Sequence, residues 1–216
     1  MKRSFRLPLA CLITPGDATV ANFRQKKNEI LLTLGAAVES GLGMLQIREK
    51  ALPARYLTEL AAAAAKLASG SETRIMINDR ADIAISAGAH GVHLPENSLD
   101  PALVRENFPG LIIGVSTHSI EAVDKASVSG ADYAFFGPVF STPGKGRATG
   151  IEEFAGVCSR AEPFPVIALG GIDERNWPDI LKAGGSGIAA IRSFADHRTI
   201  KELAEAFLRL PAHLPD

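Results

Sequence analysis

The stretch YAFFGPVFSTPGK, residues 133–145, joins two contrasting kinds of sequence. Its first four residues form an apolar run with the length and composition of a buried strand. The nine that follow hold two hydroxyls, two glycines and a lysine, a composition suited to binding an anion. The stretch therefore predicts a buried strand that runs directly into an anion-binding loop.

The order of strand, polar cluster and helix recurs along the whole chain. Further strands are predicted at residues 9–13, 44–47, 74–77, 91–94, 111–115, 165–169 and 187–191. Apolar residues at helical spacing predict helices at 28–40, from Pro53 to just before Gly70, at 81–87, after Ser119, from a cap at Asp173 to about 183, and at 199–210. The strands are continuously apolar rather than alternating, which is typical of a parallel sheet covered by helices. Eight such units favour a closed (β/α)8 TIM barrel over a doubly wound sheet.

The length of 216 residues suits one compact barrel. We therefore expect a single domain over residues 1–216, with a C-terminal tail from about residue 211. The hydrophobic content of 46% supplies enough apolar material for a full core.

Charge and composition exclude several classes of function. A formal net charge of -1 argues against a nucleic-acid surface, which normally carries a basic excess. No apolar run approaches the roughly 18 to 20 residues that a membrane span needs, and Pro8 interrupts the N-terminal run, which we interpret as a strand rather than a targeting segment. Cys11 and Cys158 are isolated, so neither a disulfide framework nor a structural zinc site is indicated, and a cytoplasmic location fits best. We expect small-molecule ligands and leave a homo-oligomer open.

Polar clusters directly follow the strands, where barrel enzymes carry their catalytic residues. After strands seven and eight, Gly170, Gly171 and Arg192 occupy the place where barrels often bind a phosphate through exposed backbone N–H groups. A tight turn is the structural alternative.

A second, more highly charged anion is predicted after strand two. Arg48 and Lys50 flank Glu49, so strand alternation would point both cations the same way. With Asn78 and Lys145 converging on them, they would suit a pyrophosphate. Asp79 could then hold a magnesium ion together with phosphate oxygens, and Mg2+ is the expected cofactor. Two surface charge clusters, Glu49 with Lys50 and Asp79 with Arg80, are the alternative.

Histidines and aromatic residues give weaker signals. His118, after strand five, could act as a general acid or base, or only hydrogen-bond to neighbouring loops. His93, within strand four, is interpreted as a satisfied interior histidine. Phe135 and Phe136 are assigned to the core, whereas Phe140 lies beyond its strand and could touch an aromatic substrate.

Taken together, the motifs resemble those of the thiamine phosphate synthase family and of its close relative, the aminothiazole tautomerases. The resemblance runs in order from about Gln46 to Ser193. It rests on QIREK (46–50), INDR (77–80), GVHL (91–94), GVSTHS (114–119), GPVFST (137–142) with Lys145, and GGI (170–172).

This resemblance implies a barrel enzyme that joins a hydroxymethylpyrimidine pyrophosphate to a thiazole phosphate. Pyrophosphate would leave first, and the thiazole nitrogen would capture the resulting carbocation. Carried over by position, the resemblance assigns pyrophosphate binding to Arg48, Lys50, Asn78 and Lys145, magnesium binding to Asp79, substrate contacts to Gln46, Ser116 and Thr142, and the surroundings of the thiazole phosphate to Gly170, Gly171 and Ile191.

Two positions depart from the synthase pattern. Ser98 stands where the synthases carry an aspartate that serves as the second magnesium ligand, and Glu96 is the other carboxylate that could reach the metal. Arg192 stands where the synthases commonly have a serine near the phosphate. Both departures resemble the tautomerase branch, in which a histidine matching His118 is the acid/base.

Three functions therefore remain open. The retained Asp79, the complete QIREK run and Lys145 favour a magnesium-dependent synthase. A metal-independent thiazole tautomerase is the alternative, because Ser98 replaces the expected carboxylate. A third alternative is a non-catalytic protein that binds thiamine precursors.

Overall fold

The computed structural model describes residues 5–144, 146–191 and 196–212. It is a closed barrel of eight parallel strands in sequential order, with the last strand paired to the first. The elements are β1 Leu9–Ile13, α1 Phe23–Glu39, β2 Met44–Ile47, α2 Ala54–Leu67, β3 Arg74–Asn78, α3 Ala81–Ser86, β4 Gly91–Leu94, α4 Pro101–Asn107, β5 Ile112–Thr117, α5 Ile120–Val128, β6 Tyr133–Phe136, α6 Ile151–Ala161, β7 Val166–Leu169, α7 Trp177–Lys182, β8 Gly187–Ala190 and α8 His197–Leu208. The predicted (β/α)8 barrel is confirmed. The extent of the domain over residues 1–216, with a tail from about residue 211, stays a prediction.

Most strand bounds match their predictions within one residue, but β5 is different. It continues through Ser116 and Thr117, which the sequence placed in the following loop. Thr117 donates a hydrogen bond from its hydroxyl to the backbone oxygen of Phe135, 3.0 Å away on β6. The extension makes Ser116 part of the barrel wall, with a position fixed by strand pairing.

No prediction covered the helices α4 and α6, and the start predicted for α7 is too early. Asp100 caps α4 by accepting a hydrogen bond from the backbone nitrogen of Ala102, with Pro101 in the first turn, a favourable helix start. Asp173, predicted as the cap of α7, instead accepts from the backbone nitrogens of Arg175 and Asn176 in the turn before that helix. The helix itself begins at Trp177, which leaves Asp173 as the organiser of the turn.

Apolar side chains pack in two layers, one inside the barrel and one between strands and helices. Along β6, Tyr133 and Phe135 point into the barrel, whereas Ala134 and Phe136 join the strand–helix layer. Phe5, ahead of β1, meets Tyr133 edge-on inside the barrel with ring centroids 5.7 Å apart. The barrel interior is thus a packed core of aliphatic and aromatic side chains rather than an open channel.

Cys11 and Cys158 are both buried and carry free thiols. Within the described ranges, no helix has the length and apolar character needed to cross a membrane.

Candidate active site

A cavity of about 480 Å3 opens at the C-terminal ends of the strands. Most of the residues singled out from the sequence line it, although they come from seven different strand ends and loops. These are Gln46, Arg48, Lys50, Asn78, Glu96, Ser116, His118, Thr142, Gly170, Gly171 and Ile191. Lys145 and Arg192 were also predicted for this site, but both lie outside the described residues. Asp79 is described and does not line the cavity.

The floor of the cavity is apolar and includes an aromatic ring. Ile13, Phe135 and Leu169 line it from β1, β6 and β7. Phe140, the ring that the sequence placed nearest a substrate, packs instead against the strand–helix layer. Among the described residues, Phe135 rather than Phe140 is the phenylalanine that lines the cavity.

Gln46 carries an unpaired polar group into this apolar setting. The residue is only 2% exposed, and its Nε2 is the one buried side-chain nitrogen or oxygen without a hydrogen-bond partner in the described parts of the chain. A buried donor left unsatisfied costs about 1–3 kcal/mol. Since Gln46 also lines the cavity, a ligand acceptor would satisfy the amide.

Glu49 is an internal anchor rather than part of a surface charge cluster. It is 2% exposed, and its two carboxylate oxygens accept hydrogen bonds from the backbone nitrogens of Gly16 at 3.0 Å and Ala18 at 2.9 Å. The alternative proposed from the sequence is therefore wrong for this residue. The carboxylate ties the segment after β1 to the end of β2.

The link between the segment after β1 and the end of β2 also supports the two cations, Arg48 and Lys50. The backbone nitrogen of Arg48 donates to the hydroxyl of Thr14 at 2.8 Å. A Cβ at Gly16, where φ is +84°, would lie 3.1 Å from the backbone oxygen of Arg48, so the two segments approach closely. Arg48 and Lys50 both line the cavity, as strand alternation predicted, although β2 ends at Ile47.

Asp79 lies at the end of β3 in a left-handed backbone conformation, with φ of 66°. Its backbone nitrogen donates to the backbone oxygen of His93 at 2.9 Å, and its Oδ1 accepts a hydrogen bond from the Ser98 hydroxyl. Arg80 does not pair with Asp79, because its guanidinium binds Asp82 at 2.6 Å. The carboxylate of Asp79 thus meets the position where the synthases carry their second carboxylate.

Protein side chains alone do not form a metal centre here. Across residues 5–144, 146–191 and 196–212, no group of three or more His, Cys, Asp and Glu side chains is arranged to hold an ion. A cation beside Asp79 would have to take further oxygen ligands from a bound substrate, as Mg2+ commonly does.

His118 lies at the rim of the cavity, with more than half of its side chain exposed. Its Nδ1 bonds to the backbone oxygen of Gly137, and since a carbonyl only accepts, Nδ1 is the donor. Its Nε2 lies 3.9 Å from the Glu96 carboxylate. Nδ1 of His118 is therefore held by the residue that follows β6, whereas Nε2 lies at the rim of the cavity, where it could exchange a proton.

His93 is a satisfied interior histidine, as predicted, but it also lines the cavity. Its Nδ1 lies 3.1 Å from the Tyr133 hydroxyl and its Nε2 lies 2.9 Å from Ser116 Oγ. Burial, with a smaller effect from the Arg48 cation, lowers the pKa of His93 to about 3, and burial raises the pKa of Tyr133. Alternation along β4 was the signal that could have located His93, because its neighbours Val92 and Leu94 face the helices.

Gly170 and Gly171 pack against the loop that follows β6. Their φ angles are +98° and +66°, and a Cβ at either position would lie 2.6 Å from the Cβ of Pro138 or Phe140. The backbone nitrogens of Val139 and Phe140 donate to the oxygens of Leu169 and Gly170. Both glycines are thus required by close packing, and together the two loops form one side of the cavity.

Comparison with known proteins identifies the relatives of this chain. The family model described as TMP-TENI, thiamine monophosphate synthase, matches residues 11–194, so the likeness extends well before Gln46. A putative thiamine-phosphate synthase of Geobacter sulfurreducens is 42% identical over 186 residues, which cover 84% of this chain and 87% of that protein. A thiamine-phosphate synthase of Chlorobium luteolum is 34% identical over 207 residues, covering 94% and 92%.

Solved structures show the same relationship. Thiamine phosphate pyrophosphorylase from Pyrococcus furiosus superposes with a TM-score of 0.79 at 28% sequence identity, covering 93% of this chain and 96% of that one. The resemblance carried by the strand-end motifs is confirmed by these matches. The chain belongs to the thiamine monophosphate synthase family.

Proposed function

We propose that this protein is a transferase that joins hydroxymethylpyrimidine pyrophosphate to thiazole phosphate and releases pyrophosphate. One observation carries the proposal: the buried, unpaired Nε2 of Gln46 shares a cavity with Arg48 and Lys50. An unpaired amide donor suits the acceptor atoms of a heterocycle, and two cations suit a highly charged leaving group.

The proposal assigns each part of the substrates to a different group of cavity-lining residues. The pyrimidine ring would lie on the floor near Phe135 and Gln46, with its pyrophosphate towards Arg48, Lys50 and Asn78. The thiazole phosphate would lie beside Gly170, Gly171 and Ile191, on the opposite side of the barrel end. Thr142 would contact the substrates from the loop after β6. Lys145 and Arg192, outside the described residues, remain predicted contributors to the two anion sites.

The chemistry requires charge stabilisation rather than a protein nucleophile. The bond between the pyrimidine methylene carbon and the pyrophosphate oxygen breaks, and the oxygen keeps the electron pair. The thiazole nitrogen then donates its pair to the carbocation, which forms the new carbon–nitrogen bond. Arg48 and Lys50 favour the first step because fixed cations stabilise the charge that develops on the departing group. Gln46 and Phe135 would hold the ring in place for the second.

Magnesium is compatible with the described residues, although Asp79 itself does not line the cavity, whereas its chain neighbour Asn78 does. Mg2+ is usually bound by one or two carboxylates together with substrate phosphate oxygens, and Asp79 supplies one carboxylate, of which Ser98 engages only Oδ1. Asp79 would therefore hold the ion, with Glu96 as a further candidate on the β4 side. When bound, magnesium would supply additional positive charge to the leaving pyrophosphate.

The remaining expectations follow from the same proposal. The ligands are small phosphate and pyrophosphate molecules, in keeping with a cavity of about 480 Å3. The two buried free thiols are consistent with the proposed cytoplasmic location. Homo-oligomer formation stays an open prediction.

A thiazole tautomerase is the second candidate, favoured by His118. With Nδ1 donating to the Gly137 carbonyl, Nε2 of His118 is free to exchange a proton near Glu96. Moving a proton on a thiazole ring would need no metal, which agrees with Ser98 in place of a carboxylate.

Incubation of the purified protein with both synthase substrates, across a magnesium titration, tests the proposal. We expect thiamine phosphate and pyrophosphate in equal amounts. Absence of pyrophosphate release at every magnesium concentration would overturn the synthase function. Isomerisation of the thiazole tautomer that survives His118→Ala would exclude the tautomerase mechanism. Turnover of either kind excludes a protein that only binds thiamine precursors.

A further inference from the structure

Three polar side chains form a hydrogen-bonded chain beneath the cavity. Tyr133 is fully buried and His93 is 2% exposed. The Tyr133 hydroxyl lies 3.1 Å from His93 Nδ1, and His93 Nε2 lies 2.9 Å from the hydroxyl of Ser116. Ser116 and His93 line the cavity, whereas Tyr133 does not. The chain thus leads from the barrel interior to the ligand site.

Gly114 makes this chain sterically possible. It is paired in register with His93 on one side and with Tyr133 on the other. A Cβ at Gly114 would lie 2.4 Å from the Tyr133 hydroxyl oxygen and 2.6 Å from His93 Nδ1. Only glycine at this position leaves room for the two side chains to meet across β5.

Counting donors and acceptors fixes the direction of the protons. Within the described part of the chain, His93 Nδ1 is the single hydrogen-bond partner of the Tyr133 hydroxyl, and the Tyr133 ring packs against the rings of Phe5 and Phe135. A buried O–H without an acceptor costs about 1–3 kcal/mol, so Tyr133 donates to Nδ1. Nδ1 therefore lacks a proton, Nε2 carries it, and Nε2 donates to Ser116 Oγ.

The opposite arrangements each leave a buried proton unpaired. If Nδ1 carried the proton, it would donate to Tyr133, whose own hydroxyl proton would then point into apolar surroundings. A doubly protonated ring would have the same defect. The arrangement in which Tyr133 donates is the one that satisfies every member of the chain.

We propose that Tyr133 and His93 are positioning residues that make Ser116 a dedicated hydrogen-bond donor towards the ligand. Because Ser116 Oγ accepts from His93, its own proton is directed into the cavity. A serine hydroxyl can otherwise serve as donor or acceptor. The identity of the ligand rests on the proposed function, under which it is a pyrophosphate. Because pyrophosphate oxygens only accept hydrogen bonds, such a donor suits them.

Nitrogen-15 NMR on histidine-labelled protein tests the tautomer without any substrate. We expect a pyridine-type signal from Nδ1 of His93 and a pyrrole-type signal from Nε2, with assignment by His93→Asn. The reverse pattern, or two pyrrole-type signals, would overturn the proposal. This measurement gives its answer even if the protein proves inactive as a synthase, so the two proposals can fail separately.

A double-mutant cycle tests the role of the chain in turnover. Tyr133→Phe, which keeps the ring and removes only the hydroxyl, should lower kcat/KM on the order of 3- to 10-fold, the loss expected from one misdirected hydrogen bond. In a Ser116→Ala background the same change should cause almost no further loss, because Tyr133 acts through Ser116. Independent, multiplicative losses would contradict the proposal and indicate a purely structural role.

A second tyrosine of the protein provides a matched control for this double-mutant cycle. Tyr56 is the other of the protein's two tyrosines and lies on α2, where its ring packs against Phe23 outside the barrel. Tyr56→Phe removes the same atom and should leave kcat/KM within about twofold. A loss in this variant as large as that in Tyr133→Phe would also count against the proposal.

Discussion

Ser98 donates a hydrogen bond from its hydroxyl to Oδ1 of Asp79, across the ends of β3 and β4. The two positions are 19 residues apart in the chain, and the resemblance to the synthases placed both at one metal site. Their contact means that a carboxylate at position 98 would lie directly beside Asp79. The hydroxyl of Ser98 thus lies beside Asp79, where the resemblance implies a carboxylate in the synthases.

Ser98→Asp should create a tighter magnesium site. Two adjacent carboxylates repel each other without a cation, so we expect the melting temperature to fall in the absence of magnesium and to recover when MgCl2 is added. Half-saturation of pyrophosphate release should shift to lower magnesium. Ser98→Asn is the control, with similar size and no charge. Equal responses of the two variants to MgCl2 would mean that position 98 does not reach the metal.

Asp79→Asn should remove activity while preserving the fold. Asparagine tolerates the left-handed backbone of position 79, and its amide oxygen can still accept from Ser98. The free energy of unfolding, measured in urea, should change by less than about 0.5 kcal/mol, whereas pyrophosphate release should fall by at least about 100-fold through loss of the metal charge.

Two further variants serve as comparisons for Asp79→Asn. Asp79→Ala should lower the free energy of unfolding by about 1 kcal/mol more than Asp79→Asn, because alanine is disfavoured in the left-handed backbone conformation. Asp82→Asn removes the nearby carboxylate that pairs with Arg80 and should leave activity within about twofold. An active Asp79→Asn enzyme would rule out this residue as the metal ligand.

Gln46→Met should raise the stability of the protein and lower its activity. Methionine matches the length of glutamine and removes the unpaired Nε2 from its buried position. We expect the free energy of unfolding to rise by about 1 kcal/mol, with a fall in kcat/KM on the order of 10-fold or more, because the ligand loses its donor. Denaturant titration and steady-state kinetics measure the two effects. A less stable variant would show that the amide is satisfied without ligand.

The barrel could be predicted because its signals are local. Each strand is a short apolar run, and such a run located β6, while the composition of the residues after it located the loop. Helix α4 gave a weak pattern, since it has only 7 residues and buries just Pro101 and Val104, whereas the 11 residues of α6 bury Phe154, Val157 and Cys158 on one face and could have been predicted. Site residues at strand ends were predictable by position, because the closed barrel brings all strand ends together.

Contacts between distant segments could not be predicted in the same way. Glu49 reads as a charged residue between two cations, and its burial depends on backbone nitrogens that lie 31 and 33 residues earlier. His93 reads as an interior residue, and its role depends on partners 23 and 40 residues later. In both cases the chemistry follows from pairings that only the closed barrel creates.

Glu49 provides the last prediction, because its buried carboxylate anchors the segment after β1 and does not line the cavity. In Glu49→Gln, one amide oxygen can still accept from Gly16 or Ala18, but the NH2 group faces the other backbone N–H. That backbone N–H and the amide NH2 facing it then both lack an acceptor, so the free energy of unfolding should fall by at least about 1–3 kcal/mol. The segment after β1 should loosen, and with it the support that Thr14 gives to Arg48. We expect KM for the pyrophosphate substrate to rise on the order of 10-fold, more than kcat falls, because binding of the charged group depends on the position of Arg48.

Glu59→Gln is the control: Glu59 pairs with Lys27 at 2.7 Å on the outer surface, and its loss should cost no more than about 0.5 kcal/mol. A Glu49→Gln protein as stable as the Glu59→Gln control would show that the buried carboxylate does not anchor the segment.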